Sequence, residues 1–355
     1  MIEVEVFEPA RHDVAWRKFI EKSYANRDYV LLSRCFFDWQ FLHNPANETG
    51  RHTFWVIRQR DRIIGQLGIV PFVGKHVSGA FFRGAYPINL MIDPEYQSFG
   101  LGAVLMKQLS SSYEGIINSG SSRAGADVSI ALGMTDFGPL PRHVFVLNGT
   151  QAVPFHAAQI EMDKSLCPLS PAESFELLQS LPIEFSLPRR NAVTGADRSL
   201  DYLTWRYGNH PVFKYEYLFD RESSAMVIFR QEKEATTGLT LIRVVELLGE
   251  RGIIGSLLAV LVLYAEDKEV VLIDAYCSDA QMILALSDAG FEYENPDLPG
   301  FATLFNPLDH RRSHIHVLAA CHGHDVGAFS SWYVTRGDSD QDRPSSALSI
   351  QACLD

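Results

Sequence analysis

Apolar positions along this chain change period several times, and each change marks an expected element. "TFWVIRQ" (53–59), "RIIGQLGIVPFV" (62–73) and "YPINLMI" (86–92) are short runs rich in β-branched and aromatic residues, which read as strands. From Leu101 onward the spacing turns helical, with Leu101, Val104, Leu105, Met106 and Leu109 on one stripe. "ADVSIAL" (126–132) alternates again and reads as a strand, and a second helix is expected near 136–148. Later the same alternation returns. "YEYLFD" (215–220), "AMVIFRQ" (225–231) and "LTLIRVVELL" (239–248) read as strands, followed by a helix over 252–266. "EVVLIDAY" (269–276), a helix near 279–289 and "GFATLFNP" (300–307) complete the second series.

The two series are echoes of each other. "FFDWQFLHNP" (36–45) returns as "DYLTWRYGNHP" (201–211), so Trp39, Phe41 and Pro45 correspond to Trp205, Tyr207 and Pro211 at an offset of about 166 residues. Each copy is followed by strands, a helix, a strand, a helix and a strand. The chain is therefore expected to hold two related α+β units, each a mixed, mostly antiparallel sheet flanked by helices. The expected segments are 1–165, 166–310 and an extension over 311–355, with the proline-bearing stretch 163–182 as the boundary region.

The first helix begins in an unusual way. "NLMIDPEYQSFGLGAVLMKQL" (89–109) carries a strand into Pro94, then Gln97, Gly100 and Gly102 at the helix start. The first N–H groups of a helix lack partners, and glycine lets the backbone approach a ligand, so such a turn suits a phosphate. A P-loop is excluded because no Lys-Ser/Thr follows Gly102, and a dinucleotide fingerprint because the third glycine is missing. What remains, Gln97-x-x-Gly100-x-Gly102-Ala103, resembles the Gln/Arg-x-x-Gly-x-Gly/Ala signature of the GNAT superfamily of N-acetyltransferases. Both halves also follow the element order of that fold. The resemblance implies a tandem GNAT protein that uses acetyl-CoA or another acyl-CoA. Its pyrophosphate would lie on Gln97, Ser98, Phe99, Gly100, Leu101, Gly102 and Ala103, and its pantetheine arm along the backbone of Met91 and Ile92. The second copy departs from the pattern. "LLGERGIIGSLLAV" (247–260) cannot carry the motif, and Glu246 and Glu250 would stand beside any phosphate and repel it.

Composition narrows the partners. A net charge of −12 argues against a nucleic-acid partner and suits an amine-bearing substrate. Five scattered cysteines form no metal or disulfide framework, and "MIEVEVFEPARHD" has no apolar leader core, so a cytoplasmic setting is expected. The longest apolar run, 253–265, is too short to span a membrane and reads as a buried helix. "DHRRSHIHVLAACHGHD" (309–325) matches no metal-site spacing, so no metal is expected, and its "HIHVLAAC" reads as a strand.

Amine acylation needs a base, a donor for the developing oxyanion and an acid for the departing thiolate. By resemblance the base lies near the start of the strand before the turn. Alternation there would put Tyr86, Ile88, Leu90 and Ile92 on one face, with Tyr86 the only ionisable member. The family's acid is a tyrosine four residues before a Gly-aromatic pair. With the helix placed at 136–148, Phe145 takes that position before Gly149, which leaves His143, Asp136 or solvent. In the tail "SSWYVTRGDSDQDRPSS" a default of disorder competes with a substrate loop in which Asp338 and Asp340 hold an amine. The function implied is N-acylation of a small amine acceptor. It could be a nucleotide-linked aminosugar of surface-polysaccharide synthesis, or an amino-acid or peptide amine. The alternative is a non-catalytic acyl-CoA-binding module.

Overall fold

In the first half, a computed structural model gives strand β1 (Ile2–Val6), helices α1 (Pro9–Ser23) and α2 (Arg34–Phe41), and strands β2 (Phe54–Gln59), β3 (Arg62–Lys75) and β4 (Phe81–Ile92). These lead into helix α3 (Leu101–Ser112), strand β5 (Gly115–Ser119), helix α4 (Arg123–Ala131), strands β6 (Thr135–Pro139) and β7 (Arg142–Val146), and the short helix α5 (Gly149–Ala152). The second half contributes β8 (Glu176–Leu178), β9 (Thr194–Ala196), α6 (Leu200–Leu203), β10 (Glu216–Asp220), β11 (Ala225–Lys233) and β12 (Thr240–Leu248). Helix α7 (Arg251–Asp267), β13 (Leu272–Tyr276), α8 (Ala280–Asp288), β14 (Glu292–Tyr293), the hairpin β15 (Leu304–Phe305) and β16 (Leu308–Asp309), β17 (His316–Cys321) and β18 (Trp332–Tyr333) follow. The structure describes residues 2–23, 29–172, 174–182, 193–310 and 314–344. The stretch 345–355, expected to fray, lies outside them.

Two places differ from the pattern reading. The alternating run 126–132 is helix α4, started by Ser122, whose hydroxyl accepts from the Gly125 N–H at 3.3 Å. Because Ser129 is the only buried residue of that helix, its weak apolar face mimicked a strand. Conversely, 136–148 is β6 and β7, because Pro139 and Pro141 and a left-handed Gly138 forbid a continuous helix.

The first sheet runs β1-β2-β3-β4-β5-β17-β6, and the second β14-β7-β13-β12-β11-β10-β8. The halves exchange strands. β17, from the far end of the chain, is inserted antiparallel between β5 and β6. β7, from the first half, is inserted antiparallel between β13 and β14. The expected segments 1–165, 166–310 and 311–355 are thus divisions of the chain and not of the sheets. One core, including Trp16, Phe41, Tyr86, Trp205, Tyr215 and Val245, runs through both halves.

The two echoed tryptophans meet in a local pseudo-two-fold relation. Trp39 donates its indole N–H to the Trp205 carbonyl at 3.0 Å, and Trp205 donates to the Trp39 carbonyl at 2.9 Å. Their rings stack with centroids 5.0 Å apart. A cavity of about 640 Å³ opens over them, lined by further couples at the same offset such as Asp38 with Thr204 and Pro45 with Pro211.

Candidate functional site

Strands β4 and β5 are parallel neighbours, yet they pair only at Gly84–Gly115 and Ala85–Ile116. Beyond Ala85 they diverge, so the β5-facing edge of β4 from Tyr86 to Ile92 has no strand partner among the described residues. A bulge sits at the same place. On β3 the partners step from Gly68 to Gln66, while on β4 they step from Ile88 to Met91, one residue more. Asn89, at φ 52°, is where the extra residue is accommodated.

The bulge overturns the expected common face of Tyr86, Ile88, Leu90 and Ile92. Tyr86 and Ile88 point into the core shared with the second half, whereas Leu90 and Ile92 pack on the other side, with the α3 helix cluster. One inserted residue reverses the alternation that follows it.

The β4 strand ends in an exposed turn. Asp93 caps it by accepting from the Glu95 N–H at 3.1 Å, and Lys22 fixes that carboxylate at 3.0 Å. Gln97, Ser98 and Phe99 are exposed, and Gln97 donates its side-chain amide to the Ile92 carbonyl at 3.2 Å. Gly100 is left-handed at φ 71° and opens α3, whose first intrahelical bond runs from the Val104 N–H to the Gly100 carbonyl at 3.1 Å. The N–H groups of Leu101, Gly102 and Ala103 precede that bond and sit at the positive end of the helix. A Cβ built on Gly102 would meet nothing nearer than Leu90 and Ile92, at 3.9 Å. A bare strand edge leading into a helix start with free donors fits an elongated ligand ending in phosphate.

The tail folds back against this gap. Tyr86 is fully buried and donates its hydroxyl to Asp338 Oδ1 at 2.5 Å. Asp338 Oδ2 accepts from Arg198 at 2.7 Å and from the Thr335 N–H at 2.8 Å. Farther on, Gln341 donates to the Ser119 carbonyl at 3.1 Å, at the end of β5, and Arg343 donates to Asn89 Oδ1 on β4 at 3.4 Å. Segment 338–343 therefore bridges the two diverging strands. These contacts correct two expectations. Asp338 holds internal partners and is not free to meet an amine, while Asp340 is nearly buried and paired with Arg343. Burial, and then the Asp338 charge, push the Tyr86 hydroxyl well above its ordinary range, so it is no base near neutral pH.

His143 lies elsewhere. It sits on β7 in the second sheet, opposite Ala275 and Tyr293, and burial lowers its pKa to about 4. The left-handed glycine that closes a helix in the second half, Gly290 after α8, has its counterpart in Gly133 after α4. Four residues before Gly133 stands Ser129, not Phe145. Its hydroxyl is buried, accepting from Asn118 and donating to the Gly125 carbonyl, both at 2.9 Å. Asp136, the other substitute acid, pairs with His316 of the inserted β17 at 2.5 Å.

The second half has the same gap, filled by its own chain. β12 pairs in parallel with β13 from Leu241 to Val244, and a bulge follows at Val245. There Tyr333 accepts from the Leu247 N–H at 3.1 Å and donates to Glu246 at 2.8 Å. Thr335 bridges to Cys277, and the Ser278 N–H reaches the Val334 carbonyl at 3.0 Å. Glu246 is wholly buried in this network, which includes Arg198 at 2.9 Å, and does not stand at the turn as expected. Glu250 does, immediately before α7.

Known proteins can be set beside this geometry. Residues 14–115 match the family model described as Acetyltransferase (GNAT) family. A GCN5-related N-acetyltransferase from Anabaena variabilis superposes with a TM-score of 0.57 at 13% identity, over 90% of this chain and 73% of that one. Saccharomyces cerevisiae N-myristoyltransferase with bound myristoyl-CoA superposes with a TM-score of 0.52 at 10% identity, over 90% of this chain and 82% of that one. No curated protein matches the sequence. The architecture is the GNAT-like acyltransferase fold, mixed sheets flanked by helices. No helix among the described residues is long and apolar enough to cross a membrane.

Proposed function

We propose that this chain is an acyl-CoA-dependent N-acyltransferase that works from the first-half gap on a small amine acceptor. One observation carries the reading: the bare β4 edge, its bulge and the donor-rich turn at Gly100–Ala103 form one continuous path. The backbone of β4 down to Met91 and Ile92 would pair with the amides of the pantetheine arm. The N–H groups after Gly100 would hold the pyrophosphate. When bound, acyl-CoA supplies an activated thioester, and the protein's task is to align it and to exclude water.

The acceptor approaches from the side of Tyr29 and the 338–343 segment, the side onto which the Asn89 side chain opens. Amino-acid or peptide amines and nucleotide-linked aminosugars remain the acceptor classes to test. Neither Tyr86 nor His143 is placed or poised to take the amine's proton, so the amine must enter neutral or lose its proton to water. Ser129, at the family's acid position, is enclosed by protein partners, which favours a second reading as an acyl-CoA-binding module without turnover.

The deciding experiment incubates the purified chain with acetyl-CoA, and with longer acyl-CoAs, against a panel of these amines while released thiol is measured. Turnover on any amine supports the enzyme. Tight binding with no turnover supports the module. Failure to bind any acyl-CoA overturns both.

A further inference from the structure

Asn89 combines three unusual features. It takes a left-handed backbone, at φ 52°, in the middle of a strand, a conformation that asparagine tolerates better than most residues. It sits at the bulge, where β4 has just lost β5 as a neighbour. Its side-chain nitrogen, Nδ2, is buried with no hydrogen-bond partner among the described residues.

The orientation of that amide is fixed from the other end. Tyr29 donates its hydroxyl to Asn89 Oδ1 at 2.6 Å, and the Arg343 guanidinium donates to the same oxygen at 3.4 Å. A guanidinium has only donors, so the oxygen must face it and the nitrogen must face away. The backbone is held as well, because Gln66 donates to the Asn89 carbonyl at 3.2 Å, and Gln66 in turn accepts from the Trp16 indole at 2.8 Å. A pinned amide with its acceptor end filled and its donor end unmatched carries the cost of an unmet buried donor. Such a cost persists where a ligand removes it.

We infer that Asn89 Nδ2 is a hydrogen-bond donor for the acyl carbonyl oxygen of a thioester bound along β4, with Tyr29 and Arg343 as positioning residues. This rests on the acyl-CoA reading above. It adds a side-chain donor from this chain to the backbone groups of the strand edge. A carbonyl oxygen is the complement that a lone N–H donor requires, and the bulge lies on the stretch of β4 that has no β5 partner.

The test is isotope-edited infrared difference spectroscopy of the full chain with acetyl-CoA carrying a ¹³C label at the acetyl carbonyl. Calorimetry on the same samples reports binding. In the wild type the carbonyl band moves to lower wavenumber than in free acetyl-CoA. Asn89→Asp keeps both acceptor contacts to Tyr29 and Arg343 but removes the donor, and Asn89→Gly keeps the left-handed backbone but removes the side chain. In both variants most of that displacement is lost, acetyl-CoA affinity falls about tenfold while binding stays measurable, and any acyl-transfer rate falls about 100-fold, the scale of one lost donor. A wild-type band at the free position overturns the inference without recourse to variants. So does a displaced band that both variants retain. Wild-type protein that does not bind acetyl-CoA or longer acyl-CoAs defeats the functional reading itself, a result that the calorimetry separates from the other two.

Discussion

Tyr86 and Asp338, 252 residues apart, share a buried hydrogen bond of 2.5 Å. From that contact a chain of partners runs through Arg198 and Glu246 to Tyr333, joining β4 of the first sheet to the bulge of β12 in the second. The tail is therefore structural before it is anything else. Tyr86→Phe should destabilise the fold by about 1–3 kcal/mol, because it leaves one oxygen of a buried carboxylate short of a donor. Asp338→Asn should cost more, about 3–5 kcal/mol, because it breaks a buried ion pair with Arg198. Urea unfolding followed by fluorescence measures both. A Tyr86→Phe protein with unchanged stability and a changed pH–rate profile would return the tyrosine to proton transfer.

The two glycines of the turn should separate in their effects. Gly100 is left-handed, so Gly100→Ala should lower stability by about 1–2 kcal/mol. Gly102 has open space around it, so Gly102→Ala should fold normally. Gly102→Glu should also fold but place a carboxylate beside the phosphates. CoA affinity should then fall more than about tenfold, at least 1.4 kcal/mol. Unchanged affinity in a folded Gly102→Glu protein would remove the turn from the site.

Calorimetry with acetyl-CoA should give about one site per chain. The second gap is already bonded to Tyr333, Val334 and Thr335, so a ligand there would first have to expel them. Tyr333→Ala opens space but leaves Glu246 in place, and should not create a second site. Two comparable sites in the wild type would contradict this reading.

Acid should weaken the second half through Glu232. Arg243, at 2.6 Å, and Arg230, at 3.1 Å, outweigh its burial and hold its carboxyl at about 2. Its folded value lies below its unfolded one. The stabilisation is therefore complete above the ordinary glutamate range and is lost as pH falls from about 4.5 toward 2, to a total of about 3 kcal/mol. Glu232→Gln should show a shallower loss of stability than the wild type across that window. Equal slopes would place the acid sensitivity elsewhere.

The sequence by itself determined what local pattern can encode. The glycine turn, the helix stripe from Leu101 and the strands on either side are set by spacing and backbone chemistry within about twenty residues. The echo of Trp39 in Trp205 was legible too, and the two tryptophans meet as reciprocal partners in the structure. Alternation could not reveal the bulge at Asn89, because one extra residue in a strand leaves no local mark beyond an asparagine, and it reverses every side chain after it. Nor could it separate α4 from a strand, because a helix with only Ser129 buried has almost no apolar face. Tertiary structure alone decided the exchange of β7 and β17, the filling of the second gap by Tyr333, and the burial of Asp338. Each depends on contacts between segments more than a hundred residues apart or on the shape of a space that exists only after folding. An aspartate in a polar tail reads as solvated until Arg198 and Tyr86 are brought around it.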